Sequence, residues 1–416
     1  MKDLRKKPSL DFSLVGGIYI VMTLFMCVAA INSQANLLFA VFGLMVGVLL
    51  VSWYVSRTVL RKVVVNRNLP DSIVVGQPAT FQYEFANRKR FWPTLSITLG
   101  ELSGADAFAV QPQAYLLHAA AATRAIVPMQ VLPKRRGLHQ LDSYQLSTSF
   151  PFGFVKRALQ RRQKDSILIY PPLARVDRKL LSLFTSAELA GARMKPRRGG
   201  SDEFYGVKDF RQGENPRWIY WRRSARTGTL VAKEMTRVSP PRLMILVDTH
   251  LQERTPADHA LVERTIAIAA SLVTRTLEEG FAVGLAVWSG SWIVVSASRG
   301  KRHSRDLMAI LARLELNTAA PIQDLVEHGR QHLRSGTTVI LVTPREIPQS
   351  LTEQARARSV VISAASEQAK RWFRFESEID FAHAMPPDQE PLQQLGSARQ
   401  RKQTITRNDD PLTPYP

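Results

Sequence analysis

Residues 243–248 read LMILVD, and this short run decides the fold class of the C-terminal half of the chain. Five apolar residues in succession, ended by an acid, are typical of a strand buried on both faces of a parallel sheet. Outward from it, residues 257–279 have helical periodicity closed by Gly280, and residues 281–288 predict a second buried strand. The pattern predicts alternating strands and helices.

The same alternation continues toward the C-terminus. Helical periodicity returns at residues 302–314 and 322–333, and further strands are predicted at 338–343 (TVILVT) and 360–363. We therefore expect a doubly wound α/β domain over residues 241–382. Residues 383–416 are rich in Pro, Gln, Arg and Asp without periodicity, so we expect a disordered tail.

Residues 63–159 have a period of two. Phe81, Tyr83 and Phe85 alternate with Gln82 and Glu84, which is the pattern of a half-buried strand. The turn sequences ANRKRFWP, LPKRRG and SFPFG separate such runs at the spacing of a small antiparallel sandwich. We predict an all-β, sandwich-like domain at residues 61–165, with its aromatic residues in the core.

Two uncharged apolar runs, residues 14–31 and 37–55, precede the β region. Each is about long enough to cross a bilayer as a helix, so residues 1–60 predict a two-helix transmembrane hairpin. Basic residues flank both runs and the joining turn has no charge, which predicts cytoplasmic termini and cytoplasmic soluble domains. A cleaved signal peptide ending near VAAINSQA is the alternative, and the second run would then still stop transfer.

Composition restricts the classes of function. The 416 residues include 56 Lys or Arg against 35 Asp or Glu, a formal net charge of +21, which implies an acidic partner. The single cysteine, Cys27, excludes an intramolecular disulfide and a cysteine-rich zinc site. Because there is neither a glycine-rich phosphate loop nor a recognisable Ser, His and acid set, we predict no catalytic residues and no cofactor.

The segment YGVKDFRQGENPRWIYWRRSARTGTLVAKE, residues 205–234, is the most unusual part of the chain. Asn215 is a suitable N-cap and Pro216 a suitable first helical residue, so a short helix is predicted to start there, with Glu214 near its positive end. Its predicted apolar face consists of Trp218, Trp221 and Ala225. Residues 229–235 predict a strand.

Positive charge is concentrated around this segment. Residues 193–237 contain twelve Lys or Arg and five Asp or Glu, which is +7 of the total +21. The interpretation that we favour is an internal network in which Arg226 and its neighbours pair with carboxylates of the same segment. Those carboxylates are Asp202, Glu203, Asp209 and Glu234. A surface for a partner protein or for lipid head groups is the alternative, whereas nucleic-acid binding is not expected because no reader motif accompanies the charge.

The segment also carries a family resemblance. It resembles the signature of the bacterial "domain of unknown function 58" (DUF58) family in the order of Gly206, Phe210, Arg211, Gly213, Pro216, Arg217, Ile219, Trp221, Ser224, Ala225, Arg226, Thr227, Leu230 and Glu234. Two positions depart conservatively, because Lys208 stands where the family tends to have Arg and Glu214 where it tends to have Asp. The apolar hairpin, PFG at residues 151–153 and YPP at residues 170–172 agree with the family layout.

The resemblance implies a fold and partners. It implies that the α/β domain is similar to a von Willebrand factor type A domain, with residues 166–240 as the family signature segment before it. It also implies association with a MoxR-type AAA+ ATPase and with a transglutaminase-like membrane protein. The residues expected to have a structural or docking role are Phe210, Arg211, Gly213, Glu214, Pro216, Arg217, Ile219, Trp221, Ser224, Ala225, Arg226 and Glu234.

Type A domains often hold a metal through Asp-x-Ser-x-Ser after the first strand. This chain has Asp248-Thr249-His250-Leu251-Gln252 there, so both serines are missing. His250 and Gln252 are poor ligands for a hard cation, and we expect a degenerate site that binds no metal. Asp248 is then a cap at the end of its strand.

These expectations combine into one function. We expect a non-enzymatic adaptor in the bacterial cytoplasmic (inner) membrane, which couples a MoxR-type ATPase to a membrane or envelope assembly process. The alternative is an enzyme, or a ligand- or lipid-binding protein, that uses the Arg and Trp cluster as a pocket.

Overall fold

The computed structural model describes residues 9–191, 198–211, 214–236, 241–250, 255–317, 319–333, 337–346, 359–375, 379 and 381. The tail predicted at residues 383–416 lies outside the described residues. The chain divides into two compact units, and each is described by itself. The first contains residues 1–173 and the short segment 309–313, whereas residues 174–308 and 314–376 belong to the second.

The first unit begins with a short strand and two long helices: β1 (Ser9–Phe12), α1 (Leu14–Ser33) and α2 (Asn36–Leu60). Both helices are long and apolar enough to cross a membrane, and few of their residues are buried by protein. The Ser13 hydroxyl caps α1 by accepting the Gly16 N–H at 3.1 Å, and Gln34 ends it in the left-handed conformation at φ 51°. The predicted pair of apolar helices is confirmed, and it is compatible with a membrane anchor.

Two β-sheets follow the helices. Their further strands are β2 (Val63–Asn68), β3 (Ser72–Val74), β4 (Ala79–Asn87), β5 (Thr94–Glu101), β6 (Gln113–Ala119), β7 (Arg124–Val131), β8 (Gly137–Thr148) and β9 (Val155–Tyr170). One sheet has the order β2-β4-β7 and the other the order β1-β9-β8-β5-β6, with β3 paired in parallel to β9. Both sheets contribute to one hydrophobic core that includes Phe81, Tyr83 and Phe85. The predicted sheet-rich region is confirmed, and its last strand runs beyond residue 165.

Strand β1 ties the start of α1 to the second sheet. It pairs antiparallel with β9, from Ser9 opposite Ala158 to Phe12 opposite Val155. The loop before β9 also contacts α1, because the Ser13 N–H donates to the Phe154 carbonyl at 3.1 Å and the Tyr19 ring stacks on Phe154 at 4.4 Å. Residues 9–12 are therefore part of the β region, which the sequence pattern did not indicate.

A charged network lies inside the β region. Arg67 makes two hydrogen bonds of 3.0 Å to the carboxylate of Glu101 and one of 2.7 Å to Asp165. The Tyr83 hydroxyl donates to Glu101 at 2.8 Å, and burial raises the pKa of that tyrosine. Since β2 and β4 carry Arg67 and Tyr83 while β5 and β9 carry the two acids, the network joins the two sheets.

A buried lysine caps the end of α2. Lys89 Nζ donates to the carbonyls of Thr58 at 3.2 Å, Val59 at 2.9 Å and Pro93 at 3.1 Å. The last carbonyls of a helix have no partner in its regular i to i+4 pattern, and the ammonium supplies them with a charged donor. The Arg61 N–H at 3.2 Å from the Thr58 carbonyl and the Thr94 hydroxyl at 3.5 Å from the Val59 carbonyl are further donors. Burial lowers the pKa of Lys89 from 10.5 to about 8.

This shift predicts a dependence of stability on pH. Between pH 8 and 10.5 the unfolded chain keeps the Lys89 proton and the folded chain releases it, so folding becomes more favourable as the pH rises. Relative to Lys89→Met, we expect the native protein to gain at most about 3 kcal/mol across this window. Urea unfolding of the full chain in detergent at several pH values measures the difference.

The exposed neighbour Lys62 provides the matched control for this measurement. A Lys62→Met variant makes the same side-chain change at an exposed position and should follow the pH profile of the native protein. A native profile that runs parallel to that of Lys89→Met would contradict the assignment.

The second unit contains an α/β region. Its elements are β10 (Arg175–Val176), α3 (Arg178–Gly191), β11 (Arg198–Asp209), α4 (Trp221–Thr227), β12 (Val231–Thr236), β13 (Arg242–Val247), α5 (Pro256–Glu278), β14 (Ala282–Trp288), β15 (Trp292–Ser298), the first part of α6 (Lys301–Arg313), α7 (Ile322–Gln331), β16 (Thr337–Thr343), β17 (Ser359–Ser363), α8 (Glu367–Trp372) and β18 (Phe373–Arg374). Strands β10 and β18 form a small antiparallel pair, as do β11 and β12.

The main sheet of this unit has the order β15-β14-β13-β16-β17. All of its neighbouring pairs are parallel except β14 with β15, so β15 is an antiparallel edge strand. Strand β13 is central and its residues from Leu243 to Val247 are buried, as the apolar run predicts. Helices α5 and α7 pack on the central strands. The α/β region predicted from strand and helix alternation is confirmed.

Candidate functional site

The signature segment is built on the antiparallel pair of β11 and β12. Gly206 lies opposite Glu234 and Asp209 opposite Val231 in the register. The strand predicted at residues 229–235 corresponds to β12. The described residues between the two strands, 210–211 and 214–230, are therefore flanked on both sides by strand pairing.

The predicted helix starting at Asn215 is wrong in its extent. The Asn215 side chain does cap, accepting the Arg217 N–H at 3.0 Å, but the turn that begins at Pro216 is a 3-10 helix that ends at Trp218. Ile219 then forms an isolated bridge with Ala232, and the Tyr220 N–H donates to the Val231 carbonyl at 2.7 Å. Strand pairing with β12 interrupts the helix, because the two residues satisfy their backbone groups across the segment.

Helix α4 begins at Trp221 and is attached to β12 through Ser224. The Val231 N–H donates to Ser224 Oγ at 2.9 Å, and Ser224, Val231 and Ala232 are buried. Gly228 ends the helix in the left-handed conformation at φ 69°. The small side chain at position 224 thus lets the helix lie close to the strand. Ile219 and Ser224, predicted as signature residues, have packing roles.

The opposite side of α4 is exposed. The predicted apolar face is wrong, since Trp221 is 65% exposed and Ala225 is exposed as well. Ser224 faces the strand pair, so residues on the other side of this short helix point to solvent. We define the basic face as Arg217, Trp221, Arg222, Arg223 and Arg226, all of which are exposed.

Three of the four carboxylates predicted to pair with Arg226 and its neighbours have side chains outside the described residues, so the internal charge network stays a prediction. Arg217, Arg222, Arg223 and Arg226 form no ion pair with any carboxylate in the described part of the chain, and Asp209 is exposed. The side chains of Asp202, Glu203 and Glu234 lie outside the described residues. With respect to the side chains that the structure describes, these arginines are exposed to solvent.

One ion pair does occur beside the basic face. Lys208 and Glu214 are bound to each other, and the Lys208 ammonium lowers the pKa of that carboxyl. These are the two positions that depart conservatively from the family resemblance. A lysine is shorter than arginine and a glutamate is longer than aspartate, so the pair keeps its combined reach and opposite signs.

The remaining signature residues have local positions. Phe210 is half-buried and its N–H donates to the Leu230 carbonyl at 2.8 Å, while Arg211 and Pro216 are exposed. Gly213 lies outside the described residues, and Glu234 is described only through its backbone in β12. None of these positions brings a nucleophile and a base together.

Asp248 follows the central strand β13 and is buried. Its carboxylate accepts the Thr343 hydroxyl at 2.9 Å and the His250 N–H at 2.9 Å, and burial raises its pKa. Thr343 ends the neighbouring strand β16, so the contact joins the carboxyl ends of two parallel strands. The prediction of Asp248 as a strand-end cap agrees with these contacts.

The surroundings of Asp248 do not suit a divalent cation. Arg345 Nη2 donates to the His250 carbonyl at 2.7 Å, so a guanidinium occupies this edge of the sheet and lowers the affinity for a second cation. Among the described residues, no group of three or more His, Cys, Asp or Glu side chains has the arrangement of a metal site. Leu251 and Gln252 lie outside the described residues.

Comparisons with known proteins bear on the same segment. Residues 206–360 match the family model described as "Protein of unknown function DUF58". The chain is also similar to "Uncharacterized protein YeaD" of Bacillus subtilis (strain 168), with 21% identity over 238 residues. That alignment covers 56% of this chain and 58% of YeaD, so the chain spans less than two thirds of this relative. Both findings support the DUF58 resemblance, and neither description states an activity.

Proposed function

With the DUF58 match as the premise, we propose that the protein is a membrane-anchored, non-enzymatic adaptor. Its α/β domain, of von Willebrand factor A type, docks a MoxR-type AAA+ ATPase and couples it to a membrane or envelope assembly process. The apolar hairpin fixes the protein in the bacterial cytoplasmic membrane, with both termini and the soluble domains in the cytoplasm. A transglutaminase-like membrane protein is a further proposed partner.

Sheet topology supports the type A assignment. A central parallel strand, β13, is flanked by β14 and β16, and the antiparallel strand β15 closes one edge. The chain passes from β13 to one side and later to the other, which creates a switch point at the carboxyl end of the sheet. Such ends commonly carry binding surfaces in α/β proteins.

Helix geometry supports the two-pass anchor. Helix α1 begins beside Phe154 of the β region, and α2 runs directly into β2, so both hairpin ends reach the same unit. The basic residues Arg57, Arg61 and Lys62 follow the second apolar run. A cytoplasmic position for that end agrees with the preference of basic flanks.

The observation that carries the docking proposal is the exposure of the basic face. Three arginines and a tryptophan that is 65% exposed lie on α4, and Arg217 lies on the 3-10 turn before it. Backbone pairing of Tyr220 with β12 holds the start of α4 in place. Tryptophan and arginine are the residue types that dominate binding energy at protein interfaces. A fixed basic face with an aromatic anchor fits an acidic patch on a partner protein.

Substitutions in the basic face are expected to weaken binding of the ATPase. Trp221→Ala should weaken binding of the ATPase by roughly 30-fold, which is about 2 kcal/mol, because it removes the aromatic anchor. Arg222→Glu combined with Arg226→Glu should abolish capture through repulsion of acidic groups. Affinity capture of the full chain from detergent-solubilised membranes, with mass-spectrometric identification of the ATPase, measures both effects.

The matched control reverses charge elsewhere in the same unit. Arg302 and Arg305 are exposed residues of α6, and Arg302→Glu with Arg305→Glu changes the net charge equally. This control should retain the ATPase. Equal losses in both charge-reversal variants would assign binding to net charge and overturn the docking face, and absence of an ATPase from the native capture would overturn the adaptor proposal.

The rival proposal, an enzyme or ligand-binding protein with an Arg and Trp pocket, predicts enclosed side chains. Ligand pockets bury most of the ligand, whereas the basic face is exposed at every defining residue. The lipid-binding form of this rival predicts association that weakens steeply with salt even without an ATPase. Vesicle flotation of the Arg222→Glu/Arg226→Glu protein does not test lipid binding by the basic face, because the proposed hairpin would itself bind the protein to vesicles. ATPase capture is therefore the deciding measurement.

A further inference from the structure

The loop between β4 and β5, residues 88–93, has two large aromatic side chains in solvent. Phe91 is 78% exposed and Trp92 is 53% exposed, although the unit has an extensive core that accepts aromatic residues. The Arg90 guanidinium lies over the Phe91 ring at 5.2 Å. Exposed aromatic residues with adjacent arginines indicate a surface that meets something apolar and anionic together.

Contacts attach this loop to the end of α2. Lys89 Nζ bridges the Val59 carbonyl of the helix and the Pro93 carbonyl of the loop, and the Arg88 N–H donates to the Lys62 carbonyl at 3.0 Å. The register also pairs Asn87, the last residue of β4, with Val63, the first residue of β2. The aromatic loop therefore lies within a few residues of the point where the apolar helix ends.

The length of α2 determines how deep in the membrane its C-terminal end lies. Twenty-five residues extend roughly 38 Å along a helix, compared with about 30 Å of hydrocarbon and 40–45 Å of whole bilayer. The last turn of α2 therefore reaches the head-group layer. Trp53 and Tyr54 are exposed near this end, and Arg57 lies over the Trp53 ring at 5.9 Å, as expected of an interfacial aromatic belt.

Exposed basic residues are frequent in the segments next to the loop: Arg57, Arg61, Lys62, Arg88 and Arg90. Glu84, on the strand before the loop, is paired with Arg124. A further aromatic side chain, Phe152, is 49% exposed on the loop that contacts the start of α1. Lysine and arginine near an anionic leaflet are attracted to it, and aromatic rings favour the head-group region.

We propose that residues 88–93 form a membrane-docking loop, which inserts Phe91 and Trp92 into the interfacial layer of an anionic leaflet while the neighbouring arginines bind lipid phosphates. The proposal rests on the proposed membrane anchoring and adds a third contact to the two helices. Its effect is to hold the β region against the lipid surface, so that the helices do not act as a free tether.

The single cysteine makes this proposal testable by site-specific labelling. Three full-length proteins are labelled with an environment-sensitive fluorophore: the native chain at Cys27, a Cys27→Ala/Phe91→Cys variant, and a Cys27→Ala/Val110→Cys variant. Val110 is also 78% exposed. The N–H of its neighbour Ala109 donates to the carbonyl of Leu132, which follows the last residue of β7. That end of β7 is paired with Ala79, the first residue of β4, which lies roughly 27 Å along the strand from Asn87. Val110 is therefore at the end of the β region opposite the loop.

Each protein is reconstituted into nanodiscs that contain anionic lipid and lipids with a quencher in the head-group region. We expect the Phe91→Cys label to show blue-shifted emission and to lose most of its intensity, and the Val110→Cys label to show neither change. When added to the Cys27→Ala/Phe91→Cys protein, Arg88→Gln or Arg90→Gln should each lower the ratio of inserted to withdrawn loop by roughly fivefold. Zwitterionic nanodiscs should reproduce this loss.

The Cys27 label distinguishes a failure of the docking-loop proposal from a failure of the membrane-anchor proposal. Cys27 lies within α1, so its label should be strongly affected by a quencher placed in the acyl-chain region. Quenching at Cys27 with equal responses at positions 91 and 110 would overturn the docking loop and leave the anchor standing. Absence of quenching at Cys27 would overturn the anchor and the loop together.

Discussion

Replacing Arg67 with methionine is expected to lower the free energy of unfolding of the β region by about 3–5 kcal/mol. The substitution leaves Glu101, which is fully buried, without the guanidinium that now binds both of its carboxylate oxygens at 3.0 Å. Only the Tyr83 hydroxyl would remain as a partner for Glu101. An uncompensated buried carboxylate is among the costliest changes that a single substitution produces.

Thermal unfolding of the full chain in detergent measures this effect, and the expected loss corresponds to a fall of roughly 10 °C in the Tm of the unit. The control is Arg124→Met, which removes an arginine from a pair of similar length, 2.9 Å to Glu84, at a site where the arginine is 77% exposed. That variant should lose less than about 1 kcal/mol.

The pH dependence gives an independent check. Burial raises the pKa of Glu101, and loss of Arg67 removes the positive charge that most strongly opposes this rise. A carboxyl with a raised pKa in the folded state favours folding below its unfolded pKa, and that contribution is lost as the pH rises through the folded value. Arg67→Met should therefore be closest to the native protein in acid. Combining it with Glu101→Met should recover stability at neutral pH, and equal losses in the single and double variants would contradict the account.

Replacing Gly16 with valine is expected to separate the start of α1 from the β region. A Cβ atom at this position would lie 2.1 Å from the Phe154 carbonyl oxygen and 2.8 Å from its carbon, which are backbone atoms. Backbone cannot rotate away as a side chain does, so the helix or the loop must move. The expected cost is at least about 1–3 kcal/mol, and the hydrogen bond from Ser13 to Phe154 should be lost.

The adjacent residue Gly17 is a matched control, because a Cβ atom there meets nothing within 4 Å. Gly17→Val makes the same change in helix propensity one position along the same helix. Hydrogen exchange of the amides in residues 9–13 and 150–155 measures the separation, and we expect faster exchange only in the Gly16 variant. Equal exchange in the two variants would show that the close approach is unimportant.

The local patterns of the sequence predicted much of this protein. Alternation with a period of two indicated the β region, the apolar runs indicated α1 and α2, and LMILVD indicated the central strand β13. These patterns succeed because a strand or helix repeats every few residues, so its period is written in the chain itself. The spacing of the signature residues likewise indicated the DUF58 resemblance, which the family match over residues 206–360 supports.

The same patterns misjudged the basic face. Asn215 and Pro216 are good signals for a helix start, and spacing of three and four from Trp218 suggested a buried apolar side. Nothing local revealed that Ile219 and Tyr220 pair with β12, which interrupts the helix and turns Trp221 to solvent. Burial of a side chain depends on which other element covers it, and periodicity carries no information about that element.

What the sequence by itself determined is the order and type of the elements, from the apolar helices through the β region to the α/β region. Tertiary structure alone decided the contacts between distant residues: Arg67 with Glu101, Lys89 with Val59, and Gly16 with Phe154. Each depends on the path of the whole chain, because residues separated by tens of positions meet only after the intervening strands and helices have packed. Short-range periodicity records the conformation of a segment, whereas those meetings are a property of the complete fold.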